Sequence, residues 1–172
     1  MTRVYLAGPD VFHPDAVELG CRKKAICEEF GLTGVYPLDN DLPLDGLSPH
    51  DQGMAIYRAN IALMDGCDAA IANMTPFRGP SCDAGTAFEI GYMRALGRPV
   101  FAYSNVAAAF TERSTGRDGY AVERFEMTDN LMLDGAVADS GSQPITGDAA
   151  DPFTDLSVFR RCVEALRDAL AR

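Results

Sequence analysis

The stretch Asp83-Ala-Gly-Thr-Ala-Phe-Glu89-Ile-Gly-Tyr92 holds the residue types and spacing best suited to chemistry. Asp83 fits a helix N-cap, where a carboxylate accepts from the free N–H groups of the first turn; it could also border a pocket. Glu89 stands among Ala87, Phe88, Ile90 and Gly91, small or apolar neighbours that predict a largely buried helix. A carboxylate in such surroundings needs a partner or a purpose, and it could be a general base, a nucleophile or a ligand anchor. Asp83 and Glu89 are six residues apart, about 600° of helical rotation. They would not share a face deep inside a helix, but with Asp83 at the cap both can border one pocket. Gly85 and Gly91 each weaken a helix by about 1 kcal/mol relative to Ala, which suggests that something approaches closely there.

Other candidates are spread along the chain. Tyr5 belongs to the first strand, and its phenol could hydrogen-bond a carboxylate from the next helix or simply fill the core. Gly8-Pro9 would let a ligand approach the backbone, and Gly8 and Phe12 are candidate substrate contacts. Pro37-Leu-Asp39-Asn40-Asp41 is a polar cluster that loop chemistry explains in most proteins, yet Asp39 and Asp41 are well placed to read the edge of a base. Asn130-Leu-Met132 reads by default as a turn Asn and a core Met. Neither GxxxxGK[ST] nor GxGxxG occurs, so ATP and dinucleotides have no motif support. No metal-ligand spacing is present, and Ser–His–Asp hydrolysis would need one of only two histidines, His13 and His50. No cofactor and no metal is expected.

These residues need a scaffold. Arg3 to Ala7 reads as a buried strand, closed by Gly8-Pro9-Asp10. Ala16, Leu19, Ile26, Cys27 and Phe30 follow on one helical face, stopped by Gly31. Val35-Tyr36 begins a second strand that Pro37 closes, and residues 38–51 form a loop. Met54, Tyr57, Ile61 and Met64 mark a helix from about Asp51 to Met64. Asp68 to Met74 is a third strand, 75–82 a loop, Asp83 to Leu96 a helix stopped by Gly97, and Pro99 to Tyr103 a fourth strand. Past Ser104 the pattern weakens. Residues 139–151 read as a surface loop, and Phe153 to Leu170 as a final amphipathic helix. Such alternation predicts a parallel sheet covered on both faces, in a single domain spanning 1–172. Ligands of open α/β sheets bind beyond the carboxyl ends of the strands, which selects the loops 8–13, 38–51 and 75–83.

Composition narrows the partners. With 47% hydrophobic residues, the 172-residue chain can build a full core, and no stretch approaches the roughly 18 apolar residues of a membrane span. The net charge of −10 repels a nucleic acid backbone but admits an uncharged nucleoside. Five cysteines without a CxxC pair fit reduced, mostly buried thiols. A cytoplasmic protein is expected, with no membrane and no nucleic acid polymer as partner.

The motifs also occur in a known order. Val4-Tyr-Leu-Ala-Gly-Pro9, Tyr36-Pro-Leu-Asp-Asn40, Asn60 to Pro76, Phe77-Arg-Gly-Pro80, Asp83-Ala-Gly-Thr-Ala-Phe-Glu-Ile-Gly91 and Asn130-Leu-Met132 together resemble the nucleoside 2-deoxyribosyltransferases, in their protozoan-like and bacterial branch. The resemblance implies a flavodoxin-like (Rossmann-like) α/β fold with helices on both faces. It implies salvage chemistry by double displacement. Glu89 would attack the anomeric carbon and expel the base, and a second base would attack the covalent intermediate, with net retention as in retaining glycosidases. It casts Tyr5 as the residue that orients Glu89, Asp83 as the ligand of the sugar 5'-hydroxyl, and Asp41 as a base contact. Asn130 and Met132 would complete a neighbouring subunit's pocket in a homo-oligomer. Asn60 departs from the pattern, standing where relatives carry the Asp that protonates the leaving base. Either another group does so here, with Asp39 and Asp41 as the substitutes, or the base leaves through hydrogen bonding alone, or the register is shifted by a few residues. The related monophosphate N-glycosidases match less well, because Asp83 would set a carboxylate against the 5'-phosphate. The expected substrates are therefore a 2'-deoxynucleoside and a free nucleobase. Two alternatives stand beside transfer: N-glycoside hydrolysis by water on nucleosides or 5'-monophosphates, and nucleoside binding without catalysis.

Overall fold

In a computed structural model, the structure describes residues 1–116 and 119–172. Five parallel strands form one sheet: β1 (Arg3–Ala7), β2 (Thr33–Val35), β3 (Ala69–Asn73), β4 (Val100–Ser104) and β5 (Ile145–Thr146). Their order is β2-β1-β3-β4-β5, the flavodoxin-like arrangement expected. The helices are α1 (Ala16–Glu29), α2 (Pro49–Asp65), α3 (Ala84–Ala95), α4 (Phe110–Arg113), α5 (Leu131–Ala138) and α6 (Ser157–Leu170). Among the described residues no helix is long and apolar enough to cross a membrane.

Side chains alternate across a strand, and this divides the core in two. Val4, Leu6, Ile71, Phe101 and Tyr103 face α1 and α6, meeting Ile26, Cys27, Phe159, Cys162, Val163 and Leu166. Tyr5, Ala7, Ala70, Ala72, Val100 and Ala102 face the other way, onto Met64 of α2, Ile90 and Met93 of α3, and Leu133 and Val137 of α5. Each large apolar side chain so buried is worth roughly 1.5–3 kcal/mol. Tyr5 therefore lies on the α3 side, beside alanines small enough to leave room for its ring. Four of the five cysteines are buried, and all are free thiols.

Several expected boundaries move. β2 runs Thr33–Val35 and Tyr36 already leads into a 3-10 turn, Pro37–Asp39. α2 begins at Pro49 because Ser48 caps it, its hydroxyl accepting from Asp51 N; Pro at the first helical position was the overlooked signal. Its stripe Met54, Tyr57, Ile61, Met64 is not core, for only Met64 is buried. Residues 139–151 are not all loop: Ile145–Thr146 pairs with Tyr103–Ser104 as the edge strand, too short to show a period. The stretch before it holds α5, and α6 starts at Ser157 rather than Phe153. α3 is only half covered: Thr86, Ile90 and Met93 are buried, while Phe88 remains 49% exposed. A mostly apolar helix here presents one face outward.

Candidate functional site

β1 has β2 on one side and β3 on the other, and the chain leaves β1 and β3 in different directions. The crevice at this point is where such sheets bind ligands. The loop after β1 folds into a 3-10 turn, Pro9–Phe12. It is anchored from below by a buried ion pair: Lys23 Nζ lies 2.7 Å from Asp10 Oδ2, and both side chains are 2% exposed. Asn73, at the end of β3, donates from Nδ2 to the same carboxylate at 3.2 Å. Gly8 is dictated by this packing. A Cβ there would stand 2.3 Å from Asp10 Oδ2 and 2.8 Å from Asn73 Cβ. Phe12 emerges from the turn and stacks on Phe77, with ring centroids 5.5 Å apart. Arg78, at a left-handed φ of 57°, lays its guanidinium over both rings at 4.8 and 4.7 Å. The result is an exposed aromatic platform on the rim.

The loop after β3 leads to Asp83, which caps α3 as expected: Oδ2 accepts from Gly85 N at 2.9 Å and Thr86 N at 3.4 Å. Glu89 follows on the same helix and meets Tyr5, whose hydroxyl donates to Glu89 Oε1 at 2.6 Å. Burial pushes the Glu89 carboxyl up, the Tyr5 hydrogen bond pulls it down, and the charge of Asp83 adds a further upward push, with a net rise to about 7. Burial, and after it the facing Glu89 carboxylate, pushes the Tyr5 phenol well above its ordinary value, so Tyr5 remains a donor at any working pH. Glu89 is thus a carboxylate with one fixed donor, poised between its two protonation states at neutral pH. That suits a nucleophile or a base.

Glu89 opens into a cavity of about 290 Å³ between α2 and α3, lined by Tyr57, Asn60, Ile61, Met64, Gly85, Phe88 and Glu89. Asn60 brings an amide whose Oδ1 is buried without a partner among the described residues. Tyr57, Ile61 and Phe88 were missed as site residues. The helical spacing that marked Tyr57 and Ile61 says which residues share a face, not whether the face meets core or cavity. Phe88 follows from Glu89 only once α2 is known to lie opposite.

Of the expected site residues only Glu89 and Asn60 line this cavity; Tyr5 and Asp83 stand beside Glu89 without lining it, Gly8 and Phe12 belong to the loop after β1, and the remaining candidates lie elsewhere. The Asp39 carboxylate is engaged locally, accepting from Lys24 Nζ and from Tyr36 N at 2.9 Å. Asp41 is exposed in the loop that follows. Neither lines the Glu89 cavity. Asn130 caps α5, its Oδ1 accepting from Met132 N at 3.0 Å while its Nδ2 donates to Glu123 Oε1 at 2.9 Å. Met132 is not a core residue: it is 72% exposed. Neither Asn130 nor Met132 lines the cavity of its own protomer. Among the described residues no group of three or more His, Cys, Asp or Glu side chains is placed to hold a metal ion.

Comparison with known proteins adds to this geometry. The family model for nucleoside 2-deoxyribosyltransferase matches residues 4–132. An uncharacterized protein of Schizosaccharomyces pombe is 32% identical, over 98% of this chain and 89% of its own. Among solved structures, a 2-desoxiribosyltransferase from Leishmania mexicana is 32% identical, covers 95% of this chain and 98% of its own, and superposes with a TM-score of 0.68. A 2-deoxyribosyltransferase from Bacillus psychrosaccharolyticus shares the fold at 20% identity and a TM-score of 0.55, over 79% of this chain and 82% of its own.

Proposed function

Because the chain belongs to the nucleoside 2-deoxyribosyltransferase family, we propose that it moves the 2-deoxyribosyl group of a 2'-deoxynucleoside from one nucleobase to another, with Glu89 as the nucleophile. The observation that carries this reading is Glu89 on the wall of the cavity, held from behind by the buried Tyr5 hydroxyl at 2.6 Å. In the first displacement a Glu89 carboxylate oxygen bonds to C1', and the C1'–N bond breaks with its electron pair going to the base. In the second, a ring nitrogen of the incoming base bonds to C1', the ester bond to Glu89 breaks with its electron pair restoring the carboxylate, and the base gives up one N–H proton to solvent, balancing the proton that the departing base takes up. Tyr5 holds the attacking oxygen and remains protonated throughout. Asp83 takes the sugar 5'-hydroxyl, and its charge disfavours a 5'-phosphate in the same place. Asn60 hydrogen-bonds the base, and Gly8, Phe12, Asp39 and Asp41 are further proposed substrate contacts.

The active form in this reading is a homo-oligomer. Tyr57 and Phe88 are about half exposed at the mouth of the cavity, and Met132 projects from the start of α5. A second copy would cover these side chains and carry Asn130 and Met132 into its neighbour's pocket. The whole chain acts as one domain, and four buried free thiols suit the reducing cytoplasm.

The test is incubation with deoxyinosine and free adenine or cytosine, with products separated chromatographically. A new deoxynucleoside is expected, and it should disappear in Glu89→Ala at unchanged fold. Free deoxyribose without exchange would instead assign hydrolysis, and binding without turnover a non-catalytic role.

A further inference from the structure

The reaction proposed above needs two segments far apart in sequence, the loop ending at Asp83 and the arm beginning at Asn130. They meet at one carboxylate. Asp129 is 1% exposed. Its Oδ1 accepts from the Ser81 hydroxyl and from Asn130 N at 2.7 Å, and its Oδ2 accepts from Cys82 N at 2.8 Å. Two of the three partners bear directly on candidate site residues, since Cys82 precedes Asp83 and Asn130 supplies its own N–H; Ser81 stands one residue further back in the same loop.

A second buried carboxylate holds the first. Asp134, in α5, accepts from Thr128 N through Oδ1 and from Asp129 N through Oδ2, both at 2.9 Å. The backbone of 128–130 is thereby fixed before Asp129 reaches across. Beyond it, Glu123 Oε1 takes the Asn130 amide at 2.9 Å. Asp129 thus ties the chain just before Asp83 to the backbone of Asn130. An apolar residue at 129 could fill the same space without burying a charge, but accepting from Ser81, Cys82 and Asn130 together takes the two acceptor oxygens of a carboxylate.

Building on the transferase reading, we propose that Asp129 is a positioning residue that couples the sugar-binding loop at Asp83 to the arm at Asn130. Asp129→Asn keeps the shape but places an amide N–H₂ against either Cys82 N–H or the Ser81 and Asn130 donors, so at least one hydrogen bond that ties the loop to residue 129 is lost. Loss of one charge-assisted hydrogen bond predicts a rise of about tenfold in KM for the deoxynucleoside.

The deciding experiment is a double-mutant cycle of Asp129→Asn with Asp83→Ala. It is read as KM in base exchange and as Kd for 2'-deoxyadenosine by calorimetry, with Tm recorded for every variant. If Asp129 acts through Asp83, its substitution adds less than about twofold in the Asp83→Ala background, a coupling rather than an additive result. Full additivity overturns the proposal, as does a lowered Tm with unchanged KM and Kd, which would make Asp129 merely structural. If Asp129→Asn does not fold, Ser81→Ala removes one donor and leaves the carboxylate. It should raise KM about threefold in the wild type and leave it unmoved beside Asp83→Ala; no rise in the wild type overturns the proposal. A wild type that binds without exchanging refutes the transferase reading, while the Kd cycle still decides the coupling. One that does neither refutes both.

Discussion

Tyr5→Phe tests the centre of the site, because it removes one atom and one hydrogen bond. The phenol donates to Glu89 at 2.6 Å, and that bond holds the carboxyl down against burial and the Asp83 charge, at about 7. Hydrogen bonds to charged groups are worth about 1.5–3 kcal/mol, and one pKa unit corresponds to about 1.36 kcal/mol. Dividing one by the other, the variant's Glu89 should ionise roughly one to two units higher, near pH 8 to 9. A nucleophile must be ionised, so the acid limb of kcat/KM for base exchange should move from about 7 by that amount. At pH 7 the ionised fraction falls from about a half to between about a tenth and a hundredth, a loss of roughly 5- to 50-fold that closes as pH rises. The assay is the pH profile of exchange between pH 5 and 10 for both proteins. An acid limb that stays in place, whatever happens to the maximum rate, would refute the claim that Tyr5 sets the ionisation of Glu89.

The same carboxyl links pH to stability. Folded Glu89 titrates at about 7, the unfolded residue in the ordinary carboxylate range, so between these values the native state holds a proton that the unfolded chain has lost. Its contribution is full at pH 4 and disappears as pH rises to 7; the urea midpoint of the wild type should fall from pH 5 to pH 8 more than that of Glu89→Gln, and parallel curves would contradict this. Lys23→Met leaves Asp10 buried and unpaired and should cost about 3–5 kcal/mol in urea unfolding, whereas a loss below about 1 kcal/mol, the range of a surface ion pair, would show that the pair is not buried. Asp83→Ser keeps a capping side chain but loses the carboxylate. It should lower kcat/KM for deoxynucleosides by about tenfold or more, improve relative use of 5'-monophosphates, and move the acid limb below that of the wild type, since the Asp83 charge raises Glu89. Unchanged selectivity would remove Asp83 from the sugar end of the site.

What the sequence made legible was whatever a local rule decides. Asp83 capping α3, Gly97 stopping it and the buried run of β1 each follow from a few adjacent residues, and the observed elements agree. Pairing Tyr5 with Glu89 needed one step more, since strand parity places Tyr5 on the α3 side only once the sheet order is known. The signals failed where a residue's meaning depends on what lies opposite. The stripe on α2 has the spacing of a core face and borders a cavity. Met132 looks like core and is exposed. Asp10 read as turn punctuation and is half of a buried ion pair, because Lys23 arrives from the other side of a loop. β5 is two residues long, and no period can be read from two residues.

Asn60 brings these two kinds of information together. Its Oδ1 is buried without a partner among the described residues, and such an atom costs about 1–3 kcal/mol until something donates to it. In the proposed reading a nucleobase in the cavity carries N–H groups that could donate to it. An amide has no proton to release, however, and once Glu89 is esterified it has none to give either. Tyr5 is held firmly protonated by burial. The wall around Glu89 thus supplies hydrogen bonds to a departing base but no acid of ordinary strength, since neither Asp39 nor Asp41 lines it. In the proposed reaction, with no such acid among the described residues lining the cavity, a proton for the base would come from water or from a side chain of another copy of the chain. The unpartnered amide and the aromatic-lined mouth of the cavity therefore fit the proposed reading, in which Glu89 and Asp83 act on the sugar and the leaving base is completed from outside the protomer.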